Sequence, residues 1–267
     1  MRLEPPGPRF RRELQELAGV EVGEQRARAA FREEIAYYVA HHLEGRDAAS
    51  LGGLRDRCAG VLAAALGLSP APSIRVVREA MLRSLRFTAY PDASPALASL
   101  RRRGLRVVVA SNWDCSLPGT LERAGLAGLV DAVVPSAIVG APKPAAALFD
   151  AALRAVGCDA AGAVHVGDSL EHDVIGARAA GIRAVLIARD DSAAAREGIA
   201  GTSAPPADGV SGTSTRPPDG VSQTSSWPPD GVSQTSSWPP DVASGTSTRP
   251  PDGVSVIRTL TELSSVL

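Results

Sequence analysis

Three polar stations follow three apolar runs in this chain. Ser111-Asn112 comes after Leu105 to Ala110, Ser136 after Val130 to Val134, and Gly167-Asp168-Ser169 after Ala163 to Val166. Lys143 lies between the second run and the next amphipathic stretch. If the runs are neighbouring strands, a hydroxyl, an amide, an ammonium and a carboxylate meet at one edge. Such a set suits a phosphoryl group. Ser111, Asn112 and the backbone N–H groups of the following helix start can bind its oxygens, and Lys143 can neutralise its charge. Asp168 offers a hard oxygen ligand for Mg²⁺, and Asp173, about one helical turn further along, can join or steady it. Each residue alone has a plainer reading: Ser111 and Asp168 as helix caps, Asp173 as a first-turn carboxylate favoured by the helix dipole. Composition favours the joint reading, because Lys143 is the only lysine and Asn112 the only asparagine in the chain. Both fall on the same expected edge.

The elements that would position these residues are legible in the apolar spacing. From Pro91 onward, runs of four to six apolar residues alternate with amphipathic stretches: a helix near Ser116 to Ala124, another at Ala145 to Val156, a third at Leu170 to Ala180, and a further strand at Ala184 to Ala188. Alternation at this spacing predicts an α/β fold with a parallel sheet and helices on both faces, which places ligands at the carboxyl ends of the strands. Residues 9 to 85 read differently. Their apolar positions recur at helical spacing, as in Ala27, Ala30, Phe31, Ile35 and Tyr38, and glycines and prolines divide them into four helices. His41 and His42, at the end of the second helix, are expected to favour its negative terminus rather than to bind a metal.

A third region has another composition altogether. Between Gly201 and Gly253 the aspartates Asp208, Asp219, Asp230, Asp241 and Asp252 recur every eleven residues, each but the first behind a Pro-Pro pair. The prolines forbid a helix, and so few apolar residues per unit cannot build a core, so a disordered tandem-repeat insertion is expected. Val254 to Ile257 then reads as a last strand and Thr259 to Leu267 as a capped helix. The expected organisation is a helical module over 1–88, an α/β core over 89–200, the repeat over 201–253, and the last core strand and helix over 254–267.

With 28 basic and 29 acidic residues the chain lacks the positive field that draws in nucleic acid or anionic membrane. No apolar stretch approaches the roughly 20 residues that cross a bilayer, and a cytoplasmic location is expected. Cys58, Cys115 and Cys158 are an odd number in no C-x-x-C pair and read as buried thiols. Phosphate-loop, dinucleotide, zinc-protease and serine-hydrolase motifs are all missing. Glu171-His172-Asp173 looks like a metal cluster on paper, but helical neighbours point apart. The oligomeric state is not legible.

At this point the motifs resemble those of the haloacid dehalogenase-like hydrolases. Val107-Val-Val-Ala-Ser111-Asn-Trp-Asp114 looks like the family's motif II, Lys143-Pro144 like motif III, and His165-Val-Gly-Asp-Ser-Leu-Glu-His-Asp173 like motif IV. The helical region is similar to the family's C1-type cap. The resemblance implies a Rossmann-like core and Mg²⁺-dependent hydrolysis of a small phosphorylated metabolite through an aspartyl phosphate. Ser111 would bind the phosphoryl group, Lys143 would stabilise it and the nucleophile, and Asp168 would hold Mg²⁺ with Asp173. Two alternatives stay open: a phosphometabolite-binding protein without turnover, and a 2-haloacid dehalogenase. Carbon–halogen cleavage in the family uses no Mg²⁺, and Gly167-Asp168 stands where dehalogenases usually carry serine and asparagine, which favours the phosphatase. The family's nucleophile motif, D-x-D-x-T, occurs nowhere in the chain. The expectation is therefore that the functional protein begins roughly ten to twenty residues ahead of Met1, the length of a strand and turn, and that this chain alone is nearly inactive.

Overall fold

The computed structural model describes residues 1–68, 71–189 and 254–267, which belong to one compact unit. The repeat expected over 201–253 lies outside the described residues. The chain opens with strand β1 (Arg2–Leu3), which pairs antiparallel with β2 (Phe87–Thr88), Arg2 opposite Thr88 and Leu3 opposite Phe87. Among the described residues, the elements between them are all helices. The two short strands thus tie the entry and exit of one helical module.

That module holds four α-helices, α1 (Pro6–Ala18), α2 (Glu24–His41), α3 (Ala48–Ala65) and α4 (Ile74–Ser84). Prolines in its first turn pre-set α1, and Gly19, at φ +66°, ends it in a left-handed conformation that a side chain would resist. A reciprocal Asp47–Ser50 capping box starts α3. Phe10 and Leu14 of α1, Ala27, Ala30 and Phe31 of α2, Leu54, Cys58 and Leu62 of α3, and Val77 and Met81 of α4 close a common core. At its centre Phe10 meets Phe31 edge to face, the ring centroids 5.3 Å apart.

The remainder is the α/β layer. After α5 (Ala93–Arg102), β3 (Val108–Ser111) pairs in parallel with β4 (Ala132–Pro135), Ser111 opposite Pro135. Helices α6 (Leu117–Arg123), α7 (Ser136–Val139) and α8 (Ala146–Val156) follow, α8 packing on both strands. A second parallel set runs β5 (Val164–Gly167), β6 (Arg183–Ile187) and β7 (Ser255–Ile257), in that order. Among the described residues β3 and β5 each have a strand neighbour on one side only.

Several boundaries differ from the sequence expectation, each for a local reason. Strand β3 begins at Val108 rather than Leu105, because Leu105 stands exposed and the Val107 amide is taken by the Asp131 carboxylate at 2.7 Å. The helix expected over 170–180 is a π-helical turn, Leu170–Ile175, followed by α9 (Gly176–Ala179). Its opening is set by Ser169, whose carbonyl accepts from both Asp173 and Val174 and whose hydroxyl caps the His172 amide. The terminal segment is a 3₁₀ stretch, Leu260–Ser265, behind a Thr259–Glu262 capping box. Of the three cysteines expected to be buried, only Cys58 is; Cys115 and Cys158 are half-buried, and all three are free thiols.

Candidate active site

The polar stations come together at the carboxyl ends of β3 and β5. Asn112 locks to the backbone of Lys143 at both ends of its amide: Oδ1 accepts the Lys143 N–H at 2.7 Å and Nδ2 donates to the Lys143 carbonyl at 3.1 Å. This pair bridges 31 residues and fixes where the lysine side chain departs. The Lys143 Nζ then donates to Asp173 Oδ1 at 2.5 Å, and His165 Nε2 lies 2.9 Å from the same oxygen. The other carboxylate oxygen, Oδ2, accepts the Ser169 N–H at 3.0 Å.

Asp173 is 3 % exposed, and Lys143 is nearly as enclosed. Burial alone would raise the Asp173 carboxyl, but the His165 hydrogen bond and the Lys143 charge outweigh it and hold the group far below the usual carboxylate range. The carboxylate reaches this place because residue 167 is glycine. A Cβ at Gly167 would lie 2.1 Å from Asp173 Cγ, so any side chain at the end of β5 would expel it. Gly176 acts similarly one turn later, where a Cβ would come within 2.9 Å of Pro144.

Asp168 sits differently. Its carboxyl is exposed at the rim and makes no ion pair among the described residues. Burial by the surrounding protein and the charge of Asp173 push its pKa above the usual carboxylate range, and the Lys143 charge opposes them. An exposed carboxylate beside a second one, in no ion pair among the described residues, is chemically fitted to a hard divalent ion such as Mg²⁺. Ser111 closes β3 immediately before Asn112 and is half-buried.

The structure gives two of the sequence-derived residues work among themselves. Asn112, placed against substrate by the sequence, holds Lys143; Asp173, placed among the metal ligands, has Lys143 and His165 on one oxygen and Ser169 on the other. Within Glu171-His172-Asp173 the aspartate turns inward, and His172 Nδ1 lies 3.0 Å from the Ser169 hydroxyl.

Sequence reasoning missed a second set of contacts joining the helical module to the loop after β3. Tyr38 donates its hydroxyl to Asp114 at 2.9 Å, and Asp114, itself buried, accepts the Ser116 N–H at 2.7 Å. The Cys115 N–H donates to the Gly45 carbonyl at 2.8 Å. His42 corrects the expectation of a cation on a helix end. It is buried, its Nδ1 donates to the Val39 carbonyl at 2.7 Å, and its Nε2 lies 3.0 Å from the buried Ser136 hydroxyl. Burial lowers its basicity, so a neutral ring completes the helix end. Ser136, a strand-end hydroxyl in the sequence, also receives the Trp113 N–H at 3.0 Å. Nothing in the spacing of these residues marks them as partners.

The profile of the haloacid dehalogenase-like hydrolases matches residues 9–181. A phosphatase of Mycobacterium tuberculosis is 40 % identical over 112 residues, covering 41 % of this chain and 50 % of that protein. The phosphoserine phosphatase of Thermus thermophilus is 42 % identical over 117 residues, covering 43 % and 47 %. The chain therefore spans about half the length of these curated relatives. Among solved structures, the L-2-haloacid dehalogenase of Xanthobacter autotrophicus superposes with a TM-score of 0.52 at 28 % identity, over 76 % of this chain and 80 % of that one. With the profile covering well over half of its length, this chain belongs to the haloacid dehalogenase-like hydrolase family.

Proposed function

We propose that the protein is a phosphatase of this family that hydrolyses a small phosphomonoester with Mg²⁺ through an aspartyl phosphate. The observation that carries the reading is the Asn112–Lys143–Asp173 chain of contacts ending beside Asp168, which is in no ion pair among the described residues. Lys143, held by two partners of fixed geometry, offers a positioned positive charge to phosphoryl oxygens, and Ser111 a hydroxyl beside it. Asp168 would hold the Mg²⁺, which supplies charge neutralisation at the transferring phosphoryl group. Asp173 keeps the lysine aimed. Relatives named as phosphatases support the phosphoester over the carbon–halogen bond, as does the carboxylate at position 168.

The attacking carboxylate is proposed to come from a segment ahead of Met1, forming a strand that pairs with both β3 and β5. The single-sided pairing of those two apolar strands supports this, since an α/β core normally buries them between neighbours. The helical region over 1–88 is proposed to be the cap, and the substrate a small phosphorylated metabolite in the cytoplasm. The test is a comparison of two chains: the present one and one extended by the upstream coding sequence. The extended chain is expected to hydrolyse an aryl phosphate with Mg²⁺ and the present chain to lose that activity by several orders of magnitude. Equal rates would show that the nucleophile is elsewhere.

A further inference from the structure

One cavity lies beside the cluster described above and is used by none of it. It has a volume of about 660 Å³ and is walled by the helical module on one side and, on the other, by Trp113 and Asp114, which follow Ser111-Asn112 in the same loop. Its charges do not balance. Five arginines reach it, of which Arg9 is paired with Glu4 and Arg83 with Glu79 and Glu13. Arg55, Arg86 and Arg123 have no carboxylate in ion-pair range among the described residues, and Arg123 touches only the Thr120 hydroxyl.

Two acids share the wall and neither pairs with these three. Asp114 accepts from Tyr38 and the Ser116 amide and is in no ion pair among the described residues. Glu34 is 4 % exposed and hydrogen-bonded to the Cys58 thiol, and burial raises it to about 7, so much of it is uncharged at neutral pH. Arg55 is the most telling of the cations, because on α3 it is half-buried, partly withdrawn from water with no anion to meet it. A guanidinium so placed presents two parallel donors to a carboxylate or phosphate.

We propose that this cavity receives the leaving-group half of the substrate, and that Arg55 binds a second anionic group carried there, a carboxylate or a second phosphate. The substrate class is then a phosphomonoester bearing another acid, not a neutral sugar or aryl phosphate. This rests on the phosphomonoester reading of the neighbouring cluster, and its test is built to separate the two. Isothermal titration of the full chain in Mg²⁺ would use four probes: inorganic phosphate, ethyl phosphate, 2-phosphoglycolate and propane-1,3-diol bisphosphate. At least one of the last two is expected to bind tenfold or more tighter than ethyl phosphate, and which one does identifies the second acid. Arg55→Gln should abolish that gain, Arg55→Lys should restore part of it, and Arg75→Gln, an exposed arginine outside the cavity, should leave it intact. Unchanged thermal midpoints for the variants exclude unfolding as the cause. If phosphate and ethyl phosphate bind but the second acid adds less than twofold, or the gain survives Arg55→Gln, the inference is overturned and the phosphoester reading stands. If no probe binds, both fall.

Discussion

The polar cluster at the ends of β3 and β5 and the cavity beside the helical module differ in how their charges are balanced. In the cluster, the buried Asp173 carboxylate meets Lys143, His165 and a backbone N–H, and Asn112 anchors the lysine backbone. In the cavity three arginines without an ion-pair partner among the described residues share the wall with Glu34, raised to about 7 by burial, and with Asp114, which pairs with none of them. A site whose groups satisfy one another before any ligand arrives holds its geometry without that ligand, and so suits the step common to every substrate. A site left unbalanced depends on what enters it. The comparison assigns chemistry to the first region and selection to the second, and it can be broken at either end.

The largest effect is expected from Asp173→Ala. Removing the carboxylate leaves the Lys143 ammonium, 13 % exposed, without its anion, and breaking a buried pair from one side costs about 3–5 kcal/mol. Urea unfolding should show a loss of that size, and phosphate titration a parallel loss of affinity. Asp173→Asn keeps the volume and removes the charge, so a similar loss there would assign the effect to electrostatics rather than to a cavity. A loss below about 1 kcal/mol in both variants, the level of an exposed pair, would mean that the cluster is not self-balanced.

A somewhat smaller effect belongs to the other region. Glu34 is an acid raised from 4.5 to about 7, chiefly by burial, so the folded chain keeps a proton that the unfolded chain releases. Its contribution is therefore fully present below pH 4.5 and is lost as pH rises through about 7, in total about 3 kcal/mol at 1.36 kcal/mol per pH unit. Glu34→Gln removes this dependence. The variant should gain stability relative to the parent as the pH of urea unfolding is moved from about 4 to about 8. A constant difference across that range would show that Glu34 titrates in the fold as it does in the unfolded chain, and that the cavity is closer to neutral than the comparison requires.

How much of this was legible beforehand follows from what sequence patterns encode. The four helices and the alternating strands could be read because the apolar spacing of Phe31, Ile35 and Tyr38, or of Val107 to Ala110, records burial directly. The gathering of Asn112, Lys143 and Asp173 could be read because parallel strands deliver their carboxyl ends to one edge. The division of labour among them could not. Whether Asp173 meets a metal or a lysine depends on a π-helical turn and on the space left by Gly167, and neither leaves a period in the sequence. The Tyr38–Asp114 contact spans 76 residues and joins a helix and a loop that look ordinary one at a time. The same holds for Arg55, whose lack of a partner is visible only once the opposite wall is in place.

The smallest expected effect tests whether the two regions are separable at all, because one loop serves both. Ser111-Asn112 opens it on the side of the cluster, and Trp113-Asp114 forms wall of the cavity. Tyr38 reaches that loop from α2 through Asp114, while His42 and Gly45 hold its neighbours Ser136 and Cys115. Tyr38→Phe deletes one hydroxyl and leaves Asp114 with the Ser116 amide, a change worth about 1 kcal/mol in unfolding free energy. If the cluster is positioned by Asn112 and Asp173 alone, inorganic phosphate should bind the variant within about twofold of the parent, less than 0.5 kcal/mol by the usual conversion. A tenfold weakening with only that small loss of stability would mean that the helical module sets the position of Ser111. Selection and chemistry would then be coupled through the loop, and a ligand filling the cavity would tighten phosphate binding at the strand ends.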